Sequence, residues 1–228
     1  MNIAERARRE AEIARMIAIV AACRRCEIGS TRRNSVFGEG DPCAALMVVG
    51  EGPGETEDKL GRPFVGRAGE LLDKMLLAIG LPREDVFICN TVKCRPTIDV
   101  GHRLANRAPT PDEMRNCRPY LDEQIALIRP RVILALGAPA AKSFLGERFS
   151  ISRQRGQWHE GPLGIPIIAT FHPAYVLRQT GGAMNEVKRL VWNDLKQVRD
   201  RIVRIDEAAA EPAASQDSLF EGAPRANT

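Results

Sequence analysis

Residues 45–54 read ALMVVGEGPG and combine an apolar run with a glycine-rich turn. The run 45–49 is apolar without alternating polar positions, which is typical of a strand buried on both faces in a parallel sheet. The glycines that follow it mark the loop at the carboxyl end of that strand. Three further runs have the same character, namely residues 86–91, 132–136 and 166–171. The sequence therefore predicts four parallel strands at the centre of one sheet.

Helical periodicity occupies the segments between and around these strands. Apolar residues recur at helical spacing in 68–79, 112–128 and 138–145, and further helices are predicted near 3–22 and 185–204. Because strands and helices alternate, the sequence predicts an α/β fold. Its expected form is a three-layer α/β/α sandwich around a central parallel four-stranded sheet.

Length and charge give the expected domain organisation. The 228 residues and 25.1 kDa suit one compact domain, expected over residues 1–205. Residues 206–228 are rich in Ala, Glu, Ser and Pro, which predicts a disordered acidic tail. Residues 207–228 hold four acidic residues against one arginine, and the total charge is +4, so the rest of the chain carries +7. A basic body suits a polyanionic partner such as nucleic acid, although many unrelated proteins share this charge.

Targeting signals are not evident in the sequence. The longest apolar runs are far too short to cross a bilayer, and the N-terminus lacks the basic, apolar and cleavage regions of a signal peptide. We therefore expect a cytoplasmic protein with no membrane partner.

Polar side chains follow the predicted strands at the edge where ligands bind in parallel sheets. Glu51 follows the first strand, Asn90 ends the second, residues 137–139 follow the third and His172 follows the fourth. A carboxylate, an amide and an imidazole are thereby expected to face one pocket, which indicates a catalytic site.

The glycine-rich segment 50–69 holds six glycines in twenty residues. A phosphate-binding loop is the ordinary interpretation, but neither Gly-x-Gly-x-x-Gly nor a Gly-Lys-Ser/Thr ending is present. The four acidic residues between positions 51 and 58 would also repel a phosphate. Nucleotide phosphate binding is therefore excluded.

The cysteine spacing predicts one four-thiolate site. Cys23 and Cys26 form a Cys-x-x-Cys pair after the first helix, and Cys94 and Cys117 flank a long loop. Four thiolates can hold either a zinc ion or an iron–sulfur cluster, and the spacing alone does not separate them. The remaining cysteines, at positions 43 and 89, are expected to be structural.

Four segments of this chain resemble motifs of the uracil-DNA glycosylase superfamily, most closely its iron–sulfur family 4. The segments are residues 50–69, 90–96, 107–111 and 172–178, and the likeness covers roughly residues 13–203. The resemblance implies a monofunctional glycosylase that hydrolyses the N-glycosidic bond of flipped-out uracil in DNA and starts base excision repair. It also implies a [4Fe–4S] cluster and free uracil as the product. We expect the cluster to be structural, because its four cysteines would pin the N-terminal helix and the long loop to the sheet, and the alternative is a cluster that senses charge or redox state near DNA. The protein is expected to be a monomer in the bacterial cytosol or nucleoid.

Two residues match the family's catalytic positions. Glu51 is expected to orient the attacking water and to stabilise the cationic sugar. His172 is expected to donate a hydrogen bond to uracil O2 as a neutral imidazole, which stabilises the leaving anion.

Base recognition is assigned to His172 and to four further residues. The Asn90 amide complements uracil N3–H and O4, whereas cytosine presents the reverse polarity. Phe64 is expected to stack on the base, and Gly52 belongs to the same substrate-binding motif. By the resemblance, Glu57 crowds the C5 position and excludes thymine.

A further set of residues is expected to contact DNA. Leu177 is the candidate wedge that fills the space of the flipped base. The other members are cationic, histidine or tyrosine side chains that would contact phosphates or the groove: Arg62, Arg67, His102, Arg103, Arg107, Arg153, Arg155, Tyr175 and Arg178.

Residues 97–106 form a longer loop than family 4 has at this point. A related group carries an enlarged loop whose histidine attacks the sugar and leaves a covalent protein–DNA adduct, and His102 invites that comparison. The loop lacks that group's Lys-Arg-Arg-Ile-His sequence, and position 52 is glycine where that group has glutamine. These two differences argue against covalent capture. Uracil-DNA binding or covalent capture without turnover remains the alternative function. The simpler interpretation is a DNA-contacting loop with Arg103 and Arg107.

Overall fold

The computed structural model describes residues 2–210 and contains one main sheet. The strands in this part of the chain are β1 (Glu39–Gly40), β2 (Leu46–Gly50), β3 (Phe87–Asn90), β4 (Thr97–Asp99), β5 (Leu104–Asn106), β6 (Val132–Leu136), β7 (Trp158–Glu160) and β8 (Pro166–Thr170). The main sheet has the order β1-β3-β2-β6-β8-β7, and β4 and β5 form a separate hairpin.

The four predicted strands are the parallel centre of this sheet. β2 pairs in parallel with β3 and β6, and β6 pairs in parallel with β8. Almost every residue of these four strands is buried, as their continuous apolar runs predicted. The sequence did not reveal the two antiparallel edges, β1 and β7, because strands of two and three residues are too short to show a pattern.

Helices connect and cover the strands. They are α1 (Ile3–Ala22), α2 (Ile28–Thr31), α3 (Glu55–Leu60), α4 (Arg67–Ala78), α5 (Pro111–Ile128), α6 (Gly137–Leu145), α7 (Ile151–Gln154), α8 (Pro173–Leu177) and α9 (Gly181–Ala210). The first five residues of the expected tail, 206–210, are helical because α9 continues through them. The rest of that expectation, residues 211–228, lies outside the described residues. Within residues 2–210, no helix combines the length and apolar character that a bilayer span requires.

The sheet separates two apolar layers, which confirms the three-layer α/β fold. On one face, Met47 and Val49 pack with residues of α1, α5 and α6. On the other face, Leu46 and Val48 pack with residues of α4, α8 and α9. Because successive side chains of a strand point to opposite faces, a strand that is apolar throughout needs cover on both sides.

Candidate active site

A cavity of about 560 Å³ opens at the carboxyl ends of β2, β3 and β8. Its lining brings together most of the residues that the sequence predicted for catalysis and base binding. These include Glu51, Gly52, Glu57, Phe64, Asn90 and His172, with Arg67 and Arg107 from the predicted DNA-contacting set.

The third predicted segment, residues 137–139, does not line this cavity. It supports the site from behind, because a Cβ atom at Gly137 would lie 3.1 Å from the Cβ atom of His172. Gly137 also has a φ of +87°, a conformation that favours glycine. The chain thus turns from β6 into α6 directly against the base of the histidine.

Gly50 lets two functional side chains meet at the end of β2. A Cβ atom at this position would collide with Asn90 Oδ1 and with the Phe64 ring. The absence of a side chain therefore allows the amide and the aromatic ring to approach each other on one side of the cavity.

Asn90 presents an unsatisfied acceptor at the carboxyl end of β3. The residue is 1% exposed, and its Oδ1 atom has no hydrogen-bond partner among the described residues. Leaving a buried carbonyl oxygen unpaired costs about 1–3 kcal/mol. The site therefore calls for a ligand that donates a hydrogen bond at this position.

His172 is a neutral hydrogen-bond donor. Its Nδ1 atom accepts a hydrogen bond from the Ala174 backbone N–H at 3.1 Å, so the ring proton is on Nε2. Burial, with a smaller contribution from the Arg178 charge, lowers the pKa of His172 to about 4. The imidazole ring also stacks on Phe64 with a centroid distance of 5.7 Å and an interplanar angle of 29°.

Glu51 places an unpaired carboxylate in the cavity. Within residues 2–210, its side chain forms no hydrogen bond or ion pair, and burial raises the pKa of the carboxyl group. Its backbone carbonyl accepts hydrogen bonds from the Thr91 hydroxyl and from the Val92 N–H, the latter at 3.3 Å. The main chain is therefore fixed while the carboxylate stays available for a substrate.

Glu57 both faces the cavity and organises its wall. Its carboxylate accepts hydrogen bonds from the backbone N–H groups of Gly54 at 3.1 Å, Val65 at 3.0 Å and Gly66 at 2.9 Å. These three bonds tie the two glycine-containing parts of the loop together. The expected role of Glu57 against thymine stays a prediction, and its bonding to the loop was not apparent from the sequence.

Two of the arginines expected on phosphates are engaged within the protein. The Arg155 guanidinium donates to both carboxylate oxygens of the fully buried Asp194, at 2.9 and 2.7 Å. Arg107 donates to both oxygens of Glu113, at 2.8 and 2.6 Å. This bonding gives Arg155 a structural role, and its expected phosphate contact stays a prediction. Arg107 anchors the cavity wall that it lines.

The other expected DNA-contacting residues lie on the surface or in the wall of the cavity. Arg62 pairs with Glu39 at 2.8 Å and stays largely exposed. Arg67 lines the cavity at the start of α4. Arg153 and Arg178 are exposed.

The short helix α8 follows His172 directly and exposes the proposed wedge. Val176 is buried, whereas Leu177 is 41% exposed. Tyr175 is also exposed and stacks on Phe171 with ring centroids 4.9 Å apart. Leu177 lies five residues beyond the cavity histidine, and its role as a groove-inserting wedge stays a prediction.

The enlarged segment 97–106 is an antiparallel hairpin and not an irregular loop. Thr97 pairs with Asn106, and the Val100 N–H donates to the Arg103 carbonyl at 3.0 Å to close the turn. His102 lies exposed in this turn and is not part of the cavity lining.

The sequence did not single out Asn106, which lines the cavity from the base of the hairpin. Its Oδ1 atom accepts a hydrogen bond from Arg95 Nε at 2.6 Å, which fixes the amide orientation. No local signal marks this residue, because its place in the site depends on the hairpin folding back toward the glycine-rich loop.

The four predicted metal-binding cysteines all line a second cavity, which is small. Cys94 Sγ accepts a hydrogen bond from Arg32 at 2.8 Å, and Cys117 Sγ accepts one from the Lys93 backbone N–H at 3.2 Å. Burial raises the pKa of the Cys117 thiol to about 11. Residues 2–210 contain no group of three or more Cys, His, Asp or Glu side chains arranged to hold a metal ion. Four sulfurs around one cavity, with N–H donors to two of them, nevertheless suit a thiolate-bound centre.

A family model and several known proteins that are similar to this chain agree on one superfamily. The family model described as the uracil DNA glycosylase superfamily matches residues 37–196. A type-4 uracil-DNA glycosylase of Thermotoga maritima is 46% identical over 184 residues, covering 80% of this chain and 91% of the relative. One from Sulfurisphaera tokodaii is 43% identical over 189 residues, covering 79% and 80%. A type-5 uracil-DNA glycosylase of Thermus thermophilus is 29% identical over 183 residues, covering 72% and 80%.

Proposed function

The chain belongs to the uracil-DNA glycosylase superfamily, and on that premise we propose that it is a uracil-DNA glycosylase of the type-4 kind. It hydrolyses the N-glycosidic bond of uracil that has been flipped out of DNA. The products are free uracil and an abasic site in an uncut strand, which begins base excision repair. The observation that carries this proposal is the unpaired Asn90 Oδ1 acceptor in the same cavity as the His172 Nε2–H donor.

Uracil selection depends on Asn90. The N3–H group of uracil donates to the buried Oδ1 atom, and the Asn90 amide N–H₂ donates to uracil O4. Cytosine presents an acceptor and a donor in the reverse positions, so it leaves buried groups unpaired on both partners. The hydrogen-bond pattern therefore favours uracil without any contact to the rest of the DNA.

Phe64 and His172 hold the base and stabilise its departure. The base stacks on Phe64, and the His172 Nε2–H donates to uracil O2 as negative charge develops there. A positioned donor of this kind contributes about 3–4 kcal/mol to transition-state stabilisation. The Nδ1 bond to Ala174 keeps the donor hydrogen on Nε2 throughout the reaction.

Glu51 acts on the sugar. Its carboxylate orients the attacking water toward C1′ and stabilises positive charge on the sugar as the glycosidic bond breaks. The lack of an ion-pair partner in the described structure leaves its negative charge available for this role. Glu57 lines the same cavity, and by the family resemblance we propose that it limits the space beside C5 of the base.

The four-cysteine site is proposed to hold a [4Fe–4S] cluster through Cys23, Cys26, Cys94 and Cys117. The cluster supplies a cross-link and no step of the hydrolysis. When bound to these cysteines, it would join the end of α1 and the segment after β3 to α5. Zinc is the alternative occupant of the same four sulfurs.

The residues proposed for both sites all belong to one chain, and the proposed working unit is a monomer. Uracil-containing DNA is its substrate, and the bacterial cytosol or nucleoid is its proposed location. Exposed Arg103, Arg153 and Arg178 are the proposed phosphate contacts, with Leu177 as the wedge.

An excision time course tests the proposed function. Protein is mixed with a large excess of uracil-containing oligonucleotide, single- or double-stranded, and abasic sites are cleaved with alkali and counted on denaturing gels. Many turnovers per protein molecule are expected, and oligonucleotides with cytosine or thymine at the same position serve as controls. A single turnover accompanied by a denaturation-resistant protein–DNA band would instead identify a capture protein.

A further inference from the structure

Lys93 is a fully buried lysine that joins the two sites. It is 0% exposed and lines the cavity of the four cysteines. Its backbone N–H donates to Cys117 Sγ at 3.2 Å, and its Nζ donates to the Asn90 backbone carbonyl at 2.7 Å. One residue therefore contacts both a cluster ligand and the residue that reads the base.

The amine of Lys93 has only neutral oxygen partners among the described residues. Besides the Asn90 carbonyl, Nζ donates to Gln124 Oε1 at 2.5 Å. Gln124 is itself 1% exposed, and its Nε2 donates to the Phe37 carbonyl at 2.9 Å. No Asp or Glu side chain within residues 2–210 forms an ion pair with Lys93.

A buried ammonium without a carboxylate requires another source of negative charge. Buried lysines are rare, and desolvation of the charge is costly unless an opposite charge lies close by. Four thiolates around a [4Fe–4S] or zinc centre carry a net charge of about −2, since each thiolate contributes −1 and the metal core about +2. Lys93 lines the cavity of these cysteines and its backbone N–H bonds to one of the sulfurs, so a metal-loaded cysteine site would supply negative charge beside this residue.

The contact to Asn90 makes this cation relevant to base recognition. The Asn90 side chain can present Oδ1 at a fixed place only if the backbone at the end of β3 is fixed. Nζ holds that backbone by its carbonyl oxygen, and Gln124 holds Nζ in turn from α5.

We propose that Lys93 is a positioning residue for uracil recognition and, at the same time, the counter-charge of the four-cysteine site. The metal centre and the base-reading amide are then linked through one residue, so loss of the Lys93 amine weakens both sites. The recognition half of this inference rests on the proposed glycosylase function.

The first test compares Lys93→Met with Lys142→Met. Methionine keeps a flexible apolar stem and removes the charge and the donor, and Lys142 is a surface lysine on α6 that pairs with Glu147 at 3.5 Å. Two readouts are taken: release of bound iron or zinc to EDTA, and inhibition of excision by free uracil. Lys93→Met should release metal several-fold faster and bind free uracil about tenfold more weakly, whereas Lys142→Met should match the wild type.

The second variant, Gln124→Glu, keeps the lysine and provides for the case in which Lys93→Met does not fold. A carboxylate at this position neutralises Nζ locally and draws it away from the Asn90 carbonyl. Faster metal release and weaker inhibition by free uracil are expected here as well.

Different outcomes overturn different parts of the inference. Metal release at the wild-type rate in the folded variants removes the counter-charge role. Unchanged inhibition by free uracil removes the positioning role. If the wild type itself excises no uracil, the proposed function fails, and metal release alone still decides whether Lys93 balances the cysteine site.

Discussion

The Nδ1 atom of His172 accepts a hydrogen bond from the backbone N–H of Ala174, two residues further along the chain, at 3.1 Å. This bond decides which nitrogen carries the proton and leaves Nε2–H directed away from the helix that His172 caps. The same bond would be lost if the ring were protonated on both nitrogens, because Nδ1 would then have no lone pair. The local geometry and the burial of the ring thus favour the same neutral state.

The pH dependence of excision should follow Glu51 and not His172. The pKa of His172 is lowered to about 4, so the ring stays neutral well below its ordinary value near 6.5. Burial raises the pKa of Glu51, so its protonation removes activity at a higher pH than an ordinary glutamate would. Single-turnover rates measured from pH 4 to 9 should show an acidic limb that follows Glu51 and no inflection that follows His172. An inflection near 6.5 that disappears in His172→Gln would contradict this assignment.

Replacing Glu51 should slow chemistry more than binding. Glu51→Gln keeps the size of the side chain and removes the charge that stabilises the sugar cation, so the single-turnover rate should fall by about a hundredfold or more. The concentration of DNA needed for half-saturation should change little. Glu84→Gln, in the turn before β3 and outside the cavity lining, is the matched control. A variant with near-normal rate would remove Glu51 from the mechanism.

Replacing the amide of Asn90 should abolish the preference for uracil. In Asn90→Asp the donor to uracil O4 becomes a carboxylate oxygen that repels it, and uracil excision should fall by about a hundredfold or more. The measurement is the single-turnover rate on oligonucleotides that carry uracil or cytosine at one position. Uracil excision close to the wild-type rate would show that Asn90 does not contact the base.

Replacing His102 should affect DNA binding and leave chemistry intact. The side chain is exposed in the hairpin turn and does not line the cavity. His102→Ala should therefore need more DNA for half-saturation, while the single-turnover rate at saturation stays nearly unchanged. The wild type should leave no denaturation-resistant band on uracil DNA. Such a band, together with loss of all chemistry in His102→Ala, would identify His102 as a nucleophile.

The four-cysteine site should give a visible and countable signature. Protein purified without oxygen should be brown and contain about four iron atoms and about four sulfide ions per chain, as a [4Fe–4S] cluster requires. Cys117→Ala should lose this signature, whereas Cys43→Ala should keep it, because Cys43 does not line the cysteine cavity. A colourless active protein with one zinc ion per chain would show that the four cysteines hold zinc and not a [4Fe–4S] cluster.

The amino-acid pattern was sufficient for the centre of the fold. The runs that became β2, β3, β6 and β8 are almost entirely apolar, with Asn90 and Thr170 at the ends of β3 and β8, and a strand of that kind is stable only between two covering layers. Helical periodicity located α4 within one residue at each end. The site residues Glu51, Asn90 and His172 could be placed together because carboxyl ends of parallel strands share one edge of a sheet.

Side-chain pairing could be learned only from the tertiary structure. Arg155 and Asp194 are 39 residues apart, and Arg32 and Cys94 are 62 residues apart. Pairs this far apart cannot be recognised from the local spacing of residues.

The hairpin at residues 97–106 and the two edge strands were not predicted either, since strands of two or three residues are too short to show a pattern of their own. Sequence periodicity records whether a position is buried and on which face. Which polar groups then satisfy one another is decided by distances between elements, and those exist only once the chain has folded.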